Sequence, residues 1–251
     1  MTCPRIIPTL PAKNLEGSKI QHVGIIMDGN GRWANDQGLP RGKGHFKGAK
    51  VVKEIITAAP DLGIKILTIF AFSTENWNRP KYEIDILMRL FQAEILKQFE
   101  ELVEEKVRVR FIGSKDGLPK RLVDTIYKLE DSTQDNPGLV LQIALNYGGR
   151  QDIVDAVKNV ANLIKAGKLK PEEITEAHIT NEISTAGFAD PDLIIRTSGE
   201  LRISNFLLWQ SAYSEFAFIS KHWPDFTPTD LAEILTEVST RKRRFGGVDP
   251  V

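Results

Sequence analysis

Short apolar runs alternate along the chain with longer stretches in which apolar residues recur every three or four positions. HVGIIMD (22 to 28), IKILTIFAF (64 to 72), VRVRFIG (107 to 113), LVLQIALNY (139 to 147), DLIIRT (192 to 197) and EFAFIS (215 to 220) have the length and β-branched content of strands. Residues 44 to 61, 81 to 106, 119 to 135, 150 to 166, 171 to 184 and 228 to 243 have helical spacing, with start signals such as Pro171-Glu172-Glu173. This alternation predicts βαβ units, hence an α/β fold of about six mainly parallel strands flanked by helices. The second helix carries Ile84, Leu87, Met88, Phe91, Ile95, Phe99 and Leu102 as a wide apolar stripe, which suits either a core face or the wall of an open, lipid-lining channel. The Pro-rich residues 1 to 18 read as a loosely held arm and 19 to 251 as one domain.

Composition narrows the picture. A chain of 251 residues, 41% hydrophobic, can bury a full core in a single domain. Lys plus Arg equals Asp plus Glu, 33 each, so the overall field gives no reason to expect nucleic acid or an acidic membrane surface as a partner, and any phosphate binding must come from a local cluster. The one cysteine, Cys3, allows neither a disulfide framework nor a cysteine zinc site, which fits a reducing compartment. No run approaches the roughly eighteen apolar residues of a membrane span, and the N-terminus lacks the order of a signal peptide. The expectation is a cytoplasmic protein whose membrane contact is at most peripheral, at the inner face.

In an open parallel sheet, ligands gather outside the carboxyl ends of the strands. After the first strand come Asp28, Gly29, Asn30, Gly31, Arg32 and Trp33, then Arg41, Lys43 and His45. The second is followed by Ser73, Thr74, Glu75, Asn76, Trp77, Asn78 and Arg79, the fifth by Arg196, Thr197, Ser198, Gly199, Arg202, Ile203 and Ser204, and the sixth opens with Glu215. Arginine forks pair bidentately with phosphate oxygens, and glycine amides approach phosphate without Cβ interference, so two arginine pairs suit two diphosphates. Asp28, with Glu215 as a second carboxylate, would suffice for Mg²⁺, which fills its octahedron with water and substrate phosphate oxygens. Apolar stripes on the flanking helices imply a substrate with a long hydrocarbon part.

Plainer readings stand beside these. Gly29-Asn30-Gly31-Arg32-Trp33-Ala34 satisfies G-x-G-x-x-G/A, but a Pro-Gly-rich loop in place of a helix at the glycines, and a second strand ending in Phe72-Ser73, argue against a dinucleotide fold. No Walker loop or G-x-S-x-G elbow occurs. His22, His178 and His222 read as structural or solvated, Glu75 and Glu83 as capping or solvating the second helix, and Trp77, Trp209 and Trp223 as core or interface aromatics.

HVGIIMDGNGRWA, GHFKGA, AFSTENWNRP, NYGGRQDI, DLIIRTSGELRISNFLLWQSAYSEFAF, WPDFT and RRFGG, spread from about residue 20 to 247, closely resemble the cis-prenyltransferase family, in particular its bacterial undecaprenyl diphosphate synthases. The resemblance implies an α/β fold with a hydrophobic tunnel, distinct from the all-α trans-prenyltransferases. It also implies an Mg²⁺-dependent, Z-selective condensation of isopentenyl diphosphate onto an allylic primer such as farnesyl diphosphate, in a homodimer. The product would be a long polyprenyl diphosphate, undecaprenyl diphosphate, delivered to the membrane as the lipid carrier precursor for cell-wall polysaccharide. The family's aspartate falls on Asp28, its histidine on His45, and its allylic pocket on Gly29, Asn30, Gly31, Arg32 and Arg41, with Arg79 near the entrance. Its isopentenyl diphosphate contacts fall on Arg196, Arg202 and Ser204 and its second metal-associated carboxylate on Glu215. Asn76, with Ser73 and Trp77, falls near the proton-loss step, and Trp33, Thr74, Glu75 and Ile203 complete the substrate loops. A neutral amide is a poor base, so Asn76 is expected to orient the isopentenyl group or relay the proton. Ala71, the one small residue of its strand face, suits either a wall beside the tunnel or simply close helix packing, and Leu139 resembles the family's bulky residue near the tunnel's closed end. The alternative is a non-catalytic partner subunit; such relatives lose the aspartate and parts of the arginine set, all of which stand here.

Overall fold

The computed structural model describes residues 20 to 241; the arm at 1 to 18 and the RRFGG segment lie outside the described residues. Six strands, β1 (His22–Ile26), β2 (Ile66–Ser73), β3 (Arg108–Ile112), β4 (Val140–Tyr147), β5 (Leu193–Arg196) and β6 (Glu215–Phe218), pair in the order β3-β4-β2-β1-β5-β6. Every pairing is parallel. β1 and β5 are buried along their whole length, as strands covered on both faces must be, which is why they read as unbroken apolar runs. The chain builds outward from β1 on one side and returns with β5 on the other. The boundary between β1 and β5 is therefore the point where strand order reverses and the following loops part into a crevice.

Among the described residues seven helices accompany the sheet: α1 (Asn30–Asp36), α2 (Arg41–Ala58), α3 (Lys81–Glu104), α4 (Lys120–Thr133), α5 (Gly149–Lys165), α6 (Glu176–Thr180) and α7 (Pro228–Ser239). Proline holds the N-cap of α2, α3 and α4, where its fixed φ suits an extended entry and no helical N–H is lost. Residues of α2, α3, α4 and α7, among them Val51, Ile55, Leu87, Ile126 and Leu231, close the larger core over Val23, Ile25, Leu67, Ile69 and Leu141. The opposite face, with Ile26, Ala144 and Ile194, is sealed by Phe206 and Leu207 from the segment after β5. His22 is structural as expected: its ring nitrogens lie 2.6 Å from the Ala189 carbonyl and 2.7 Å from Thr68 Oγ1, and burial lowers its pKa to about 4.

Three expectations need correction. A helix, α1, does open at the Gly29-Gly31 turn, where a loop was expected: Gly29, at φ 98°, makes the sharp exit from β1 that lets it start. The helix expected over 171 to 184 is broken, with a 3₁₀ turn at Pro171–Glu173 and only five residues in α6. Thr175 is extended (φ -129°), and Ser184 N–H is drawn away to Asp152 Oδ1 at 2.8 Å. α7 ends at Ser239, short of 243, and Arg241 turns back to donate to Glu215 Oε2 and the Phe216 carbonyl.

A β-bulge also matters. Phe70 faces Ala144 and Phe72 faces Leu145, so Ala71 is an extra residue in β2. Strict alternation fails there, and Ile69, Ala71 and Phe72 all pack on the larger core while Phe70 turns to the smaller one.

Candidate active site

The carboxyl ends of β1 and β5 deliver the centre of the site. Asp28 accepts from Gly29 N–H (2.7 Å) and Arg32 Nη2 (3.0 Å) on Oδ1 and from Arg196 Nη2 (2.8 Å) on Oδ2. Burial alone would raise its pKa, but the hydrogen bonds from Arg196 and Arg32 prevail and hold the carboxyl below the usual range. Arg196, the last residue of β5, is buried; its Nη1 also donates to Ser204 Oγ (2.7 Å) and to the Arg202 carbonyl. Arg32 reaches Glu200 Oε1 at 2.7 Å, and Arg202 pairs with the other oxygen of the same carboxylate. His222, expected without clustered partners, stands beside this loop, with Nδ1 2.6 Å from Ser198 Oγ and Nε2 3.3 Å from Asp36 Oδ2. Both the His222 ring and Ser198 Oγ occupy the place a Cβ on Gly29 would need.

A second cluster gathers where α2 and α3 begin. Glu83 is buried and holds Arg79 Nη1 at 3.0 Å, Arg41 Nε at 3.6 Å and His45 Nε2 at 3.9 Å. Burial, the nearby Arg79 charge and, against the opposing pull of Glu83, the Arg41 charge lower the His45 pKa to about 4, so the ring is neutral at pH 7. Sequence reasoning gave Glu83 a capping or solvating role and missed this hub. The available signal was its place in the first turn of α3, four residues after Arg79, which stands in extended backbone just before the Pro80 cap and can reach back to that turn.

Between the clusters opens a cavity of about 350 Å³, within the range of small-molecule sites. Its polar end is lined by Asp28, Gly29, Asn30, Gly31, Arg32, Arg41, His45, Ser73, Asn76, Arg79, Arg196 and Ser204. It then runs between the sheet and the α2–α3 pair, past Ala71, Val52, Leu87, Phe91 and Ile95, to Leu102, Phe111, Leu129 and Leu141. The stripe on α3 is thus both core face and channel wall. Three buried side-chain atoms at the polar end, Asn30 Oδ1, His45 Nε2 and Arg196 Nε, have no hydrogen-bond partner. Buried polar atoms are seldom left so: the Arg196 guanidinium and the His45 ring nitrogen can meet a ligand's oxygens, whereas Asn30 Oδ1, an acceptor lying against Gly48, needs a donor such as water.

Of the remaining expected site residues, Asn76 is on the lining and the others stand behind it. Trp33 donates to Asp225 Oδ1 (2.8 Å) and anchors α1; Trp77 donates to Asn146 Oδ1 (2.7 Å) and packs edge-on against Phe72. Asn76 Oδ1 accepts from Ser73 N–H at 3.1 Å, leaving its amide nitrogen for a ligand. Thr74, Glu75, Arg202 and Ile203 are not on the cavity wall, and Glu75 is held by Asn205 at 2.8 Å. Glu215 is a correction. It opens β6 level with Leu193 and Val23, at the amino end of the sheet, while Asp28 lies beyond the carboxyl end. Its carboxylate pairs with Arg241 at 2.9 Å, so the two carboxylates cannot share one ion within this chain. Leu139 is not itself on the cavity wall: it is buried in the core close behind the deep end, two residues before the lining residue Leu141.

The donor set at Asp28 suits Mg²⁺ in one manner only. Three of about four lone-pair sites on the carboxylate are engaged, and one remains facing the cavity. One free hard-oxygen position fits an ion bound mainly by phosphate oxygens and water, and does not fit an all-protein cage. Among the described residues no cluster of three or more acidic, His or Cys side chains offers such a cage.

A family model described as "Putative undecaprenyl diphosphate synthase" matches residues 26 to 246. The isoprenyl transferase of Bacillus subtilis is 49% identical over 234 residues, covering 93% of this chain and 90% of that protein. The ditrans,polycis-undecaprenyl-diphosphate synthase of Micrococcus luteus, described as (2E,6E)-farnesyl-diphosphate specific, is 48% identical over 237 residues, covering 94% and 95%. The crystal structure of lavandulyl diphosphate synthase from Lavandula x intermedia, in complex with dimethylallyl diphosphate, superposes with a TM-score of 0.88 at 41% identity, covering 90% of this chain and 98% of that one.

Proposed function

This chain belongs to the cis-prenyltransferase family, and from that premise we propose that it condenses isopentenyl diphosphate units, in Z configuration, onto farnesyl diphosphate to build a long polyprenyl diphosphate of the undecaprenyl type. The carrying observation is one cavity with cationic, partly unsatisfied groups at its mouth and an apolar interior reaching Leu102, Leu129 and Leu141. Such a space takes a diphosphate at one end and a growing hydrocarbon at the other.

Arg41, Arg79 and the turn from Gly29 to Arg32 receive the primer diphosphate, with neutral His45 as a hydrogen-bond partner. Arg196 and Ser204, with Arg202 flanking, hold isopentenyl diphosphate so that its terminal alkene carbon faces the primer's allylic carbon. Asp28 lies between them and would hold Mg²⁺, which when bound neutralises charge on the departing diphosphate. As the new carbon–carbon bond forms, the allylic carbon–oxygen bond breaks and its electron pair leaves with the diphosphate. The proton lost from the isopentenyl unit goes to a diphosphate oxygen, with Asn76 orienting the group through its free amide nitrogen.

Two further parts of the reading concern surroundings. A second copy of this chain is the partner we assign to the β6 edge, where Tyr213 just before the strand and Phe218 at its end expose 70% and 36% of their surface. Contact with the inner face of an anionic membrane is assigned to the cavity mouth, where Phe46, Tyr82 and Ile86 are exposed beside Lys43, Lys47 and Lys50. No helix among the described residues is long and apolar enough to cross a membrane.

The test is incubation with farnesyl diphosphate, labelled isopentenyl diphosphate and Mg²⁺, followed by sizing of the dephosphorylated product. A ladder ending in a long polyprenol is expected. No incorporation, or a single condensation only, would overturn the reading.

A further inference from the structure

The motif NYGGRQDI contributes nothing to the cavity lining except through its neighbours, and the segment after β5 contains two consecutive non-glycine residues in the left-handed region, Ser204 (φ 47°) and Asn205 (φ 63°). Both facts have one explanation in Asn205. Its main-chain carbonyl accepts from Gly149 N–H at 2.7 Å and its side-chain Oδ1 accepts from Arg150 N–H at 2.9 Å, so one residue satisfies two of the free donors that open α5. Its Nδ2 then donates to Glu75 Oε1 at 2.8 Å, across 130 residues of sequence. This orientation of the amide is the only one that matches both neighbours, a donor at Arg150 and a carboxylate at Glu75.

The glycine pair makes room for this. A Cβ on Gly148 would lie 2.6 Å from Thr74 Oγ1 and 2.8 Å from Asn205 Nδ2. Glu75 in turn is bonded by the Ser73 and Thr74 side chains and precedes Asn76, whose Oδ1 holds Ser73 N–H. On the other side, Asn205 follows Ser204 directly, and Ser204 Oγ receives Arg196. Asparagine tolerates the left-handed conformation better than most residues, and here three hydrogen bonds offset its cost.

We propose that Asn205 is a positioning residue that sets the register between the Ser73–Asn76 turn and the Arg196–Ser204 arm, and so aims isopentenyl diphosphate at the primer. It touches no substrate itself and acts through Glu75 and Ser204. The proposal rests on the two-diphosphate reading of the site, and wild-type turnover in the same assay reports on that reading separately.

The test uses Asn205→Asp, which keeps an oxygen for Arg150 N–H but replaces the donor to Glu75 with a like charge. Its melting temperature should stay near that of the wild type. KM for isopentenyl diphosphate should rise about tenfold, and KM for the primer should stay within about twofold. Adding Glu75→Gln reverses the polarity of the lost bond, since Gln donates where Asn205 did, and should bring KM back to within about threefold of wild type. A merely structural residue would show no such rescue. Glu75→Ala cuts the same link from an exposed turn and should reproduce the loss if Asn205→Asp proves unstable. Unchanged kinetics in Asn205→Asp, or a double variant no better than the single one, would overturn the proposal. Wild type that fails to incorporate isopentenyl diphosphate would overturn the parent reading, and this one with it.

Discussion

Two carboxylates organise the arginines of this site, and they do so in different ways. Asp28 sits at the reversal point of a parallel sheet, between a strand-end Arg196 with 5% of its side chain exposed and an Arg32 fixed on the first turn of α1. Glu83 has 8% of its side chain exposed, but its partners Arg41 and Arg79 are 46% and 36% exposed and stand at or just before the starts of helices. In the first cluster one cation, Arg196, is buried while the anion reaches the cavity; in the second the anion is buried and both cations reach it. The first cluster therefore offers a ligand a carboxylate for a metal, and the second offers a ligand two guanidinium groups that a buried counter-charge holds in readiness.

The largest expected effect comes from breaking the first cluster. Asp28→Ala should reduce turnover by about 10³-fold, the scale of several kcal/mol of lost transition-state charge stabilisation. It should also lower the melting temperature, because Arg196 is left buried without its anion. Asp28→Asn keeps an acceptor for Arg196 and should lose turnover with less effect on melting. Near-wild-type turnover in either variant would dissolve the distinction between the clusters. The acid limb of stability sharpens it: the Asp28 pKa is depressed on folding, so its contribution is present above the unfolded value near 4 and fades as pH falls through the folded value. Asp28→Asn should flatten that limb in acid melting curves.

Arg196→Ala and Arg41→Ala come next. Each removes a charge-assisted contact of ~1.5 to 3 kcal/mol, but from different pockets. Steady-state kinetics should show KM for isopentenyl diphosphate rising most in Arg196→Ala and KM for the primer rising most in Arg41→Ala. Equal effects on both substrates would merge the two pockets into one.

Glu83→Gln should act in the opposite sense to Asp28→Ala. With the buried counter-charge gone, Arg41 and Arg79 are released toward a ligand. Because both are well exposed and screened, the gain is small, and inorganic diphosphate should bind roughly 2- to 10-fold more tightly by calorimetry. Weaker binding would mean that Glu83 chiefly orients the arginines, making the second cluster resemble the first.

The sheet and the first cluster were readable in the sequence because each depends on local pattern: apolar runs of strand length, and polar residues placed at their carboxyl ends. All six strands and the Asp28, Arg32 and Arg196 set follow from that logic. What escaped it depends on partners distant in the chain. Glu83 reads as a helix-start carboxylate until α2 brings Arg41 and His45 beside it. Glu215 fits a metal-ligand pattern, but the parallel register puts it at the wrong end of its strand. α1 was hidden because Gly29-Asn30-Gly31 has poor helix propensity, which the packing of α1 against α2 overrides.

The contrast between fixed strands and helical walls continues down the cavity, and product length is where its smallest effect should appear. The floor is sheet: Ala71, the unpaired bulge residue of β2, near the mouth, and Leu141, paired with Leu67 in the β2–β4 ladder, at the deep end. The roof is α2 and α3, which pack on that floor through side chains alone. A side chain that enlarges the floor has little room to withdraw, because the bulge at Ala71 already turns this extra residue toward the channel and its neighbours Phe70 and Phe72 are both held in the ladder with β4. Ala71→Leu should therefore obstruct the tail early and shift the product distribution to shorter chains. Leu141→Ala should open the deep end and lengthen products by about one or two isoprene units, while costing ~2 to 5 kcal/mol of stability as a buried truncation. Leu139→Ala, in the core below the cavity, should carry a similar stability cost without lengthening the product. Chromatography of dephosphorylated products from folded variants separates these outcomes. Equal lengthening by Leu139→Ala and Leu141→Ala would show that the floor yields as readily as the roof, and the contrast between strand and helix would then stop at the mouth.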